Sequence, residues 1–116
     1  MAAKQRARAK AFDADFGTAS EALAALRRGA ISSRELTEHV FARIRRHNPR
    51  INAFVTLTEE QALAQARKAD GRKARKGKLG RLHGLPIVVK DAFSTAGVRV
   101  TSHGLFVTPA TSLYAW

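Results

Sequence analysis

The sequence contains no cysteine, one tryptophan, one tyrosine, three prolines and only nine acidic residues among 116. Without cysteine there is no disulfide framework, no thiolate nucleophile and no Cys-based zinc site, which fits a reducing compartment without demanding one. No apolar run approaches the ~20 residues that a membrane helix needs. Acids are so few against 21 lysines and arginines that the formal net charge is +12. A basic excess of that size raises the question of nucleic acid or an anionic membrane.

The length suits a single domain with one small core, and 45% hydrophobic with 26% charged residues is ordinary globular usage. Met1 to Phe12 carry Lys4, Arg6, Arg8 and Lys10 without an acid. They lack the apolar stretch of a secretory signal and the serines of an organelle presequence, so residues 1–17 are read as a basic, flexible N-terminus and the cytoplasm as the default location. The densest charge lies between Arg67 and Arg81, where Arg67, Lys68, Arg72, Lys73, Arg75, Lys76, Lys78 and Arg81 face a single acid, Asp70.

Local signals predict three helices. Ser32 is placed to cap a helix with Glu35 returning the bond, flanked by Ile31 and Leu36; Leu36, Val40, Phe41 and Ile44 then recur at spacings near four on one apolar face. Asn48-Pro49 is expected to stop it. Thr18 and Glu21 repeat the capping pattern upstream, and Gly29 stands where a left-handed terminator belongs, so the two helices form a hairpin. A third, Ala-rich helix is expected to open at Thr58-Glu59-Glu60-Gln61 and run to about Lys73 or Lys76, broken up by Gly71, Gly77 and Gly80.

Two segments read as strands. Residues 51–57 are rich in β-branched and aromatic side chains, and Leu85-Pro86-Ile87-Val88-Val89 is a continuous apolar run of the kind covered on both faces in a parallel sheet. With the third helix between them they suggest a right-handed β-α-β crossover. Two strands with unpaired edges make a marginal sheet by themselves.

Little else in the sequence points to a site. His39, His47, His83 and His103 share no metal-ligand spacing, so no metal and no cofactor is expected. Gly71 and Gly77-Lys78 resemble a phosphate loop only superficially: five residues separate the glycines instead of four, Leu79 replaces the hydroxyl residue and the segment follows a helix. The basic run could grip phosphates, but no aromatic residue is interleaved for base stacking, and a solvated helix end accounts for it equally well. Lys90 ends the second apolar run, at the place where α/β sheets present working groups; taken alone, such a lysine is usually the first residue to reach water.

Three stretches carry a resemblance: Leu26 to Leu36 (LRRGAISSREL), Asn48 to Val55 (NPRINAFV) and above all Leu82 to Asp91 (LHGLPIVVKD). Over about residues 18–102 the chain resembles the amidase signature family, which includes the amidase subunits that supply ammonia for aminoacyl-tRNA transamidation. The resemblance implies an α/β fold in which the chain supplies the N-terminal helices and first strands of a large mixed sheet, incomplete in this chain. It implies amide hydrolysis through a Ser, cis-Ser, Lys triad, with Lys90 as the catalytic base.

Such a lysine must be neutral to accept a proton. From a reference pKa near 10.4, only about one in 2,500 is neutral at pH 7, so an enclosed site would have to lower it by several units. The family's two serines come from a Gly/Ser-rich segment downstream of the lysine, whereas Ser94, Ser102 and Ser112 stand in no such setting. Residues 103–116 match nothing in the family and are read as a divergent tail.

The leading expectation is an N-terminal amidase fragment, inactive by itself, whose partners are a small amide substrate in the complete enzyme and the missing C-terminal part. Nucleic acid is not favoured as a partner and no membrane is expected. Two other classes stay open: a small basic module that uses residues 67–81 on RNA or another polyanion, and a protein completing a separately encoded amidase.

Overall fold

The computed structural model describes residues 11–93 and 95–98. Three helices organise them: α1 (Ala19–Arg27), α2 (Ser33–Ile51) and α3 (Glu59–Ala74). Among the described residues no helix is long and apolar enough to cross a membrane.

Both predicted capping boxes form. The Thr18 hydroxyl accepts from Glu21 N while the Glu21 carboxylate accepts from Thr18 N at 2.7 Å. Ser32 and Glu35 repeat the arrangement at α2, with Ser32 N donating to Glu35 Oε2 at 2.8 Å. Each box satisfies two N–H groups that have no partner inside their helix. At the other end of α1, Gly29 is left-handed at φ +74, and Ala30 N reaches Ala25 O while Gly29 N reaches Leu26 O. That pair of bonds closes the helix as the glycine predicts.

The stop expected at Asn48-Pro49 does not occur there, since α2 runs through Pro49 to Ile51. Proline removes one N–H from the last turn, a small loss where few bonds remain downstream. The chain is instead turned by Asn52, left-handed at φ 47, whose N–H bonds to Asn48 O at 2.7 Å. The Asn48 side chain completes the exit, accepting from Phe54 N at 2.9 Å and donating to Phe54 O at 3.1 Å. Gly71, expected as a breaker, lies inside α3, which ends at Ala74.

The core sits where α1 meets the start of α2. Ala22, Leu26 and Leu36 are buried together, with Phe12, Ala14, Ile31 and Leu85 packed around them. Phe41 and Ile44 extend the buried face of α2, and α3 packs along α2 through Ala66. Thus Phe12 and Ala14 already touch the core, ahead of α1. The turn that carries them is closed by the Asp13 carboxylate, which accepts from Asp15 N and Phe16 N.

Neither expected strand forms among the described residues, so the β-α-β crossover is replaced by a helical assembly. Residues 52–57 and 85–90 have no neighbouring strand among the described residues to share a ladder with, and a strand without a partner has no hydrogen bonds to hold it. The consequence shows in solvent exposure: Ile87, Val88 and Val89 are 71%, 68% and 51% exposed, where an apolar run in a parallel sheet would be covered. The expected tail 103–116 and most of the expected N-terminal segment lie outside the described residues.

Candidate functional site

The stretch from Leu82 to Asp91 splits into two parts with different surroundings. Its first part is bound to the helices. Ser33 opens α2 and is only 4% exposed, and its hydroxyl donates to Gly84 O at 2.7 Å. His83 Nε2 lies 2.8 Å from Ala69 O of α3, and the guanidinium of Arg27 donates to Arg81 O at 3.1 Å. Leu85 then inserts against the core cluster. Gly84 is left-handed at φ +81, and a Cβ there would stand 3.3 Å from Ser33 Cβ, so the loop approaches α2 as closely as a glycine permits.

Two charged residues of the basic run complete this junction. The Asp70 carboxylate accepts from Ser33 N at 2.8 Å and Arg34 N at 3.0 Å, putting a negative charge at the start of α2 where the helix dipole favours it. The Lys73 ammonium donates to Leu26 O at the end of α1, the matching position for a cation. Neither role follows from the local sequence. Asp70 stands out as the single acid of its run, but its partners lie 37 and 36 residues away.

The groups leave a cavity of about 30 Å³ among Leu26, Ser33, Ala69, Asp70, Lys73 and His83, room for roughly two water molecules. Among the described residues no buried side-chain nitrogen or oxygen lacks a partner. The junction joins three helix ends to a loop with its described buried polar side-chain groups satisfied.

The second part of the stretch leads away from the junction. After Pro86 the chain carries Ile87, Val88 and Val89 into solvent, and Lys90 follows, also exposed. A turn begins on it, with Phe93 N donating to Lys90 O at 3.0 Å, and Phe93 is itself 64% exposed. Among the described residues Lys90 is therefore neither enclosed nor brought together with another candidate group. Ser94, Ser102 and Ser112 lie outside the described residues. Among the described residues no three His, Asp or Glu side chains stand where they could share a metal ion.

A second cluster lies at the N-terminal side. Asp15 Oδ1 is 2.7 Å from Arg43 Nη1 and 2.6 Å from His39 Nε2, and the Arg43 guanidinium stands 5.3 Å from the centre of the Phe16 ring. Hydrogen bonding to Arg43, then to His39, holds the Asp15 carboxyl below its ordinary value. The cluster fastens the first turn to α2.

Comparison with known proteins agrees with the sequence motifs. The amidase family model matches residues 35–108. The A subunit of glutamyl-tRNA(Gln) amidotransferase from Thioalkalivibrio sulfidiphilus is 54% identical over 84 residues, covering 72% of this chain and 17% of that protein. Its counterpart in Alcanivorax borkumensis is 51% identical over 88 residues, 72% of this chain and 18% of the relative. That of Halorhodospira halophila is 45% identical over 97 residues, 84% and 20% respectively. The chain thus spans about a fifth or less of the length of these curated relatives. No solved structure matches it. The family match takes in α2 from Glu35 onward, α3, the docked loop and Lys90, well over half of the sequence, and on that ground the chain belongs to the amidase family.

Proposed function

We propose that this chain is the front portion of an amidase like these A subunits, one that hydrolyses a carboxamide C–N bond to release ammonia for an amidotransferase. The observation that carries the reading is the stretch Leu82 to Asp91: it lies inside the family match, its first half is held by the Ser33 hydroxyl on Gly84 O and by His83 on Ala69 O, and its second half is exposed. The relatives' name supplies the class of reaction, and the other chains of an amidotransferase are the partners it implies.

In this reading Lys90 is the base. Further chain pairs with the exposed run Ile87 to Val89 to make the mixed sheet of the α/β fold, encloses Lys90, and supplies a bridging serine and a nucleophilic serine. Such an enclosure favours a neutral lysine, because desolvation disfavours the charged form. The neutral amine takes the proton of the bridging serine, which takes that of the nucleophile. Attack on the carbonyl gives a tetrahedral adduct; the proton taken up by Lys90 returns through the bridging serine to the leaving nitrogen, the C–N bond breaks to release ammonia and leave an acyl-enzyme, and water hydrolyses the ester to the acid and the free serine. A polypeptide of these 116 residues has Lys90 exposed and no Gly/Ser-rich segment, so it is inactive by itself.

The test is a chimaera in which residues 35–98 replace the matching segment of the Thioalkalivibrio relative. Ammonia release from glutamine by the chimaera, and none by the 116-residue chain, is the expected result. A soluble, folded chimaera without amidase activity would contradict the reading.

A further inference from the structure

The basic run between Arg67 and Arg81 is not used by the amidase reading, and its arrangement changes what it can do. Asp70 is the one acid in the run, and it turns inward to the start of α2. Lys73 turns inward as well, to Leu26 O. The cations that remain are exposed: Arg67, Lys68 and Arg72 on α3, Arg75 at its C-cap, then Lys76, Lys78 and Arg81 on the loop that follows. Among the described residues none of these side chains forms an ion pair, while the ion pairs that do form are made by Asp15, Glu38 and Glu59 with residues of α2.

Lys68, Arg72 and the C-cap residue Arg75 are spaced four and three apart, so they line one face of α3 and its end. Ala66, the buried residue of α3, lies on the other side against α2. Upstream on the cationic face come Gln61, Ala64 and Gln65, all exposed, with no large apolar residue among them. At 1.5 Å rise per residue the three cations extend over about 10 Å, and the loop prolongs the row.

From this unneutralised row we infer that α3 and the loop to Arg81 form a docking surface for the phosphodiester backbone of a nucleic acid, read by charge and not by base. The missing aromatic side chains exclude base stacking, not phosphate contact. An anionic membrane fits less well, because an interfacial helix needs an apolar face turned outward, and the outward face of α3 has none. The surface is independent of Lys90 and stands or falls without the amidase chemistry.

The experiment uses the 116-residue chain and a fluorescent 20-base-pair RNA, with a DNA duplex of the same sequence and phosphatidylserine vesicles in parallel. Three to seven phosphate contacts give a log–log salt slope between about −2 and −6. Lys68→Glu with Arg72→Glu weakens RNA binding at least about tenfold, whereas Arg46→Glu with Arg50→Glu, the same change in net charge on α2, costs less than about threefold. Equal affinity for the DNA duplex assigns binding to the shared backbone, and tighter RNA binding adds a contribution from the 2′-hydroxyls. Equal losses in the two variants, a flat salt dependence, or tighter binding to the vesicles would each overturn the inference.

Discussion

The two halves of the stretch Leu82 to Asp91 make the most instructive contrast in the molecule. His83, Gly84 and Leu85 are held by Ala69 O, by the Ser33 hydroxyl and by the core around Leu26 and Leu36. A few residues later, Ile87, Val88, Val89 and Phe93 are more than half exposed and Lys90 is exposed with them. One half finds its partners within these helices. The other half has the composition of a covered strand and no cover among the described residues, as the proposed role of this run in a larger amidase requires.

That contrast can be broken most severely at the core. Leu36→Ala removes a side chain that is 4% exposed, and the expected cost of about 2–5 kcal/mol should abolish cooperative urea unfolding. Val88→Asp, on the exposed half, should leave the stability unchanged within about 0.5 kcal/mol. A comparable loss from both would mean that the apolar run is packed after all.

Asp70→Ala comes next. It strips two backbone N–H groups at the start of α2 of their acceptor, with an expected loss of about 1–3 kcal/mol. Hydrogen exchange of the Ser33 and Arg34 amides should accelerate in step, and unchanged exchange would remove Asp70 from its capping role.

The smallest effect concerns acidity. The backbone N–H of Ser32, and then its hydroxyl, hold the Glu35 carboxyl below its ordinary value of 4.5. A folded-state pKa lower than the unfolded one contributes stability fully above pH 4.5, and that contribution is lost as pH falls through the folded value. Thermal unfolding followed from pH 7 to pH 3 should therefore show a steeper decline for the native chain than for Glu35→Gln.

Much of this contrast is legible in the sequence where the cause is local. Thr18 with Glu21, Ser32 with Glu35, and Gly29 all act within a few residues of themselves, and each does what its position predicts. Pro49 misleads because the termination of α2 depends on Asn48 clamping Phe54 and on Asn52 turning left-handed, and neither is a property of proline. Gly71 misleads because α3 packs against α2, which offsets a cost of about 1 kcal/mol for glycine in a helix.

The junction of Ser33, Asp70, Lys73 and His83 is hidden for a different reason: its members come from elements distant in sequence, and polar residues carry no periodicity that would announce such contacts. The strands are absent among the described residues for a third reason. The residue types are correct for a sheet, but a strand is a property of a pair, and residues 85–90 have no neighbouring strand among the described residues.

The most direct measurement sets the two halves against each other in the chimaera built on the Thioalkalivibrio relative. Gly84→Ala forces a Cβ to within 3.3 Å of Ser33 at a left-handed position, and should lower the unfolding temperature by several degrees while the remaining folded enzyme still releases ammonia. Lys90→Ala should leave the unfolding temperature in place and reduce kcat at least about a thousandfold. Turnover that survives Lys90→Ala would contradict the assignment of the base to Lys90, and with it the view that the docked half builds the site while the exposed half works in it.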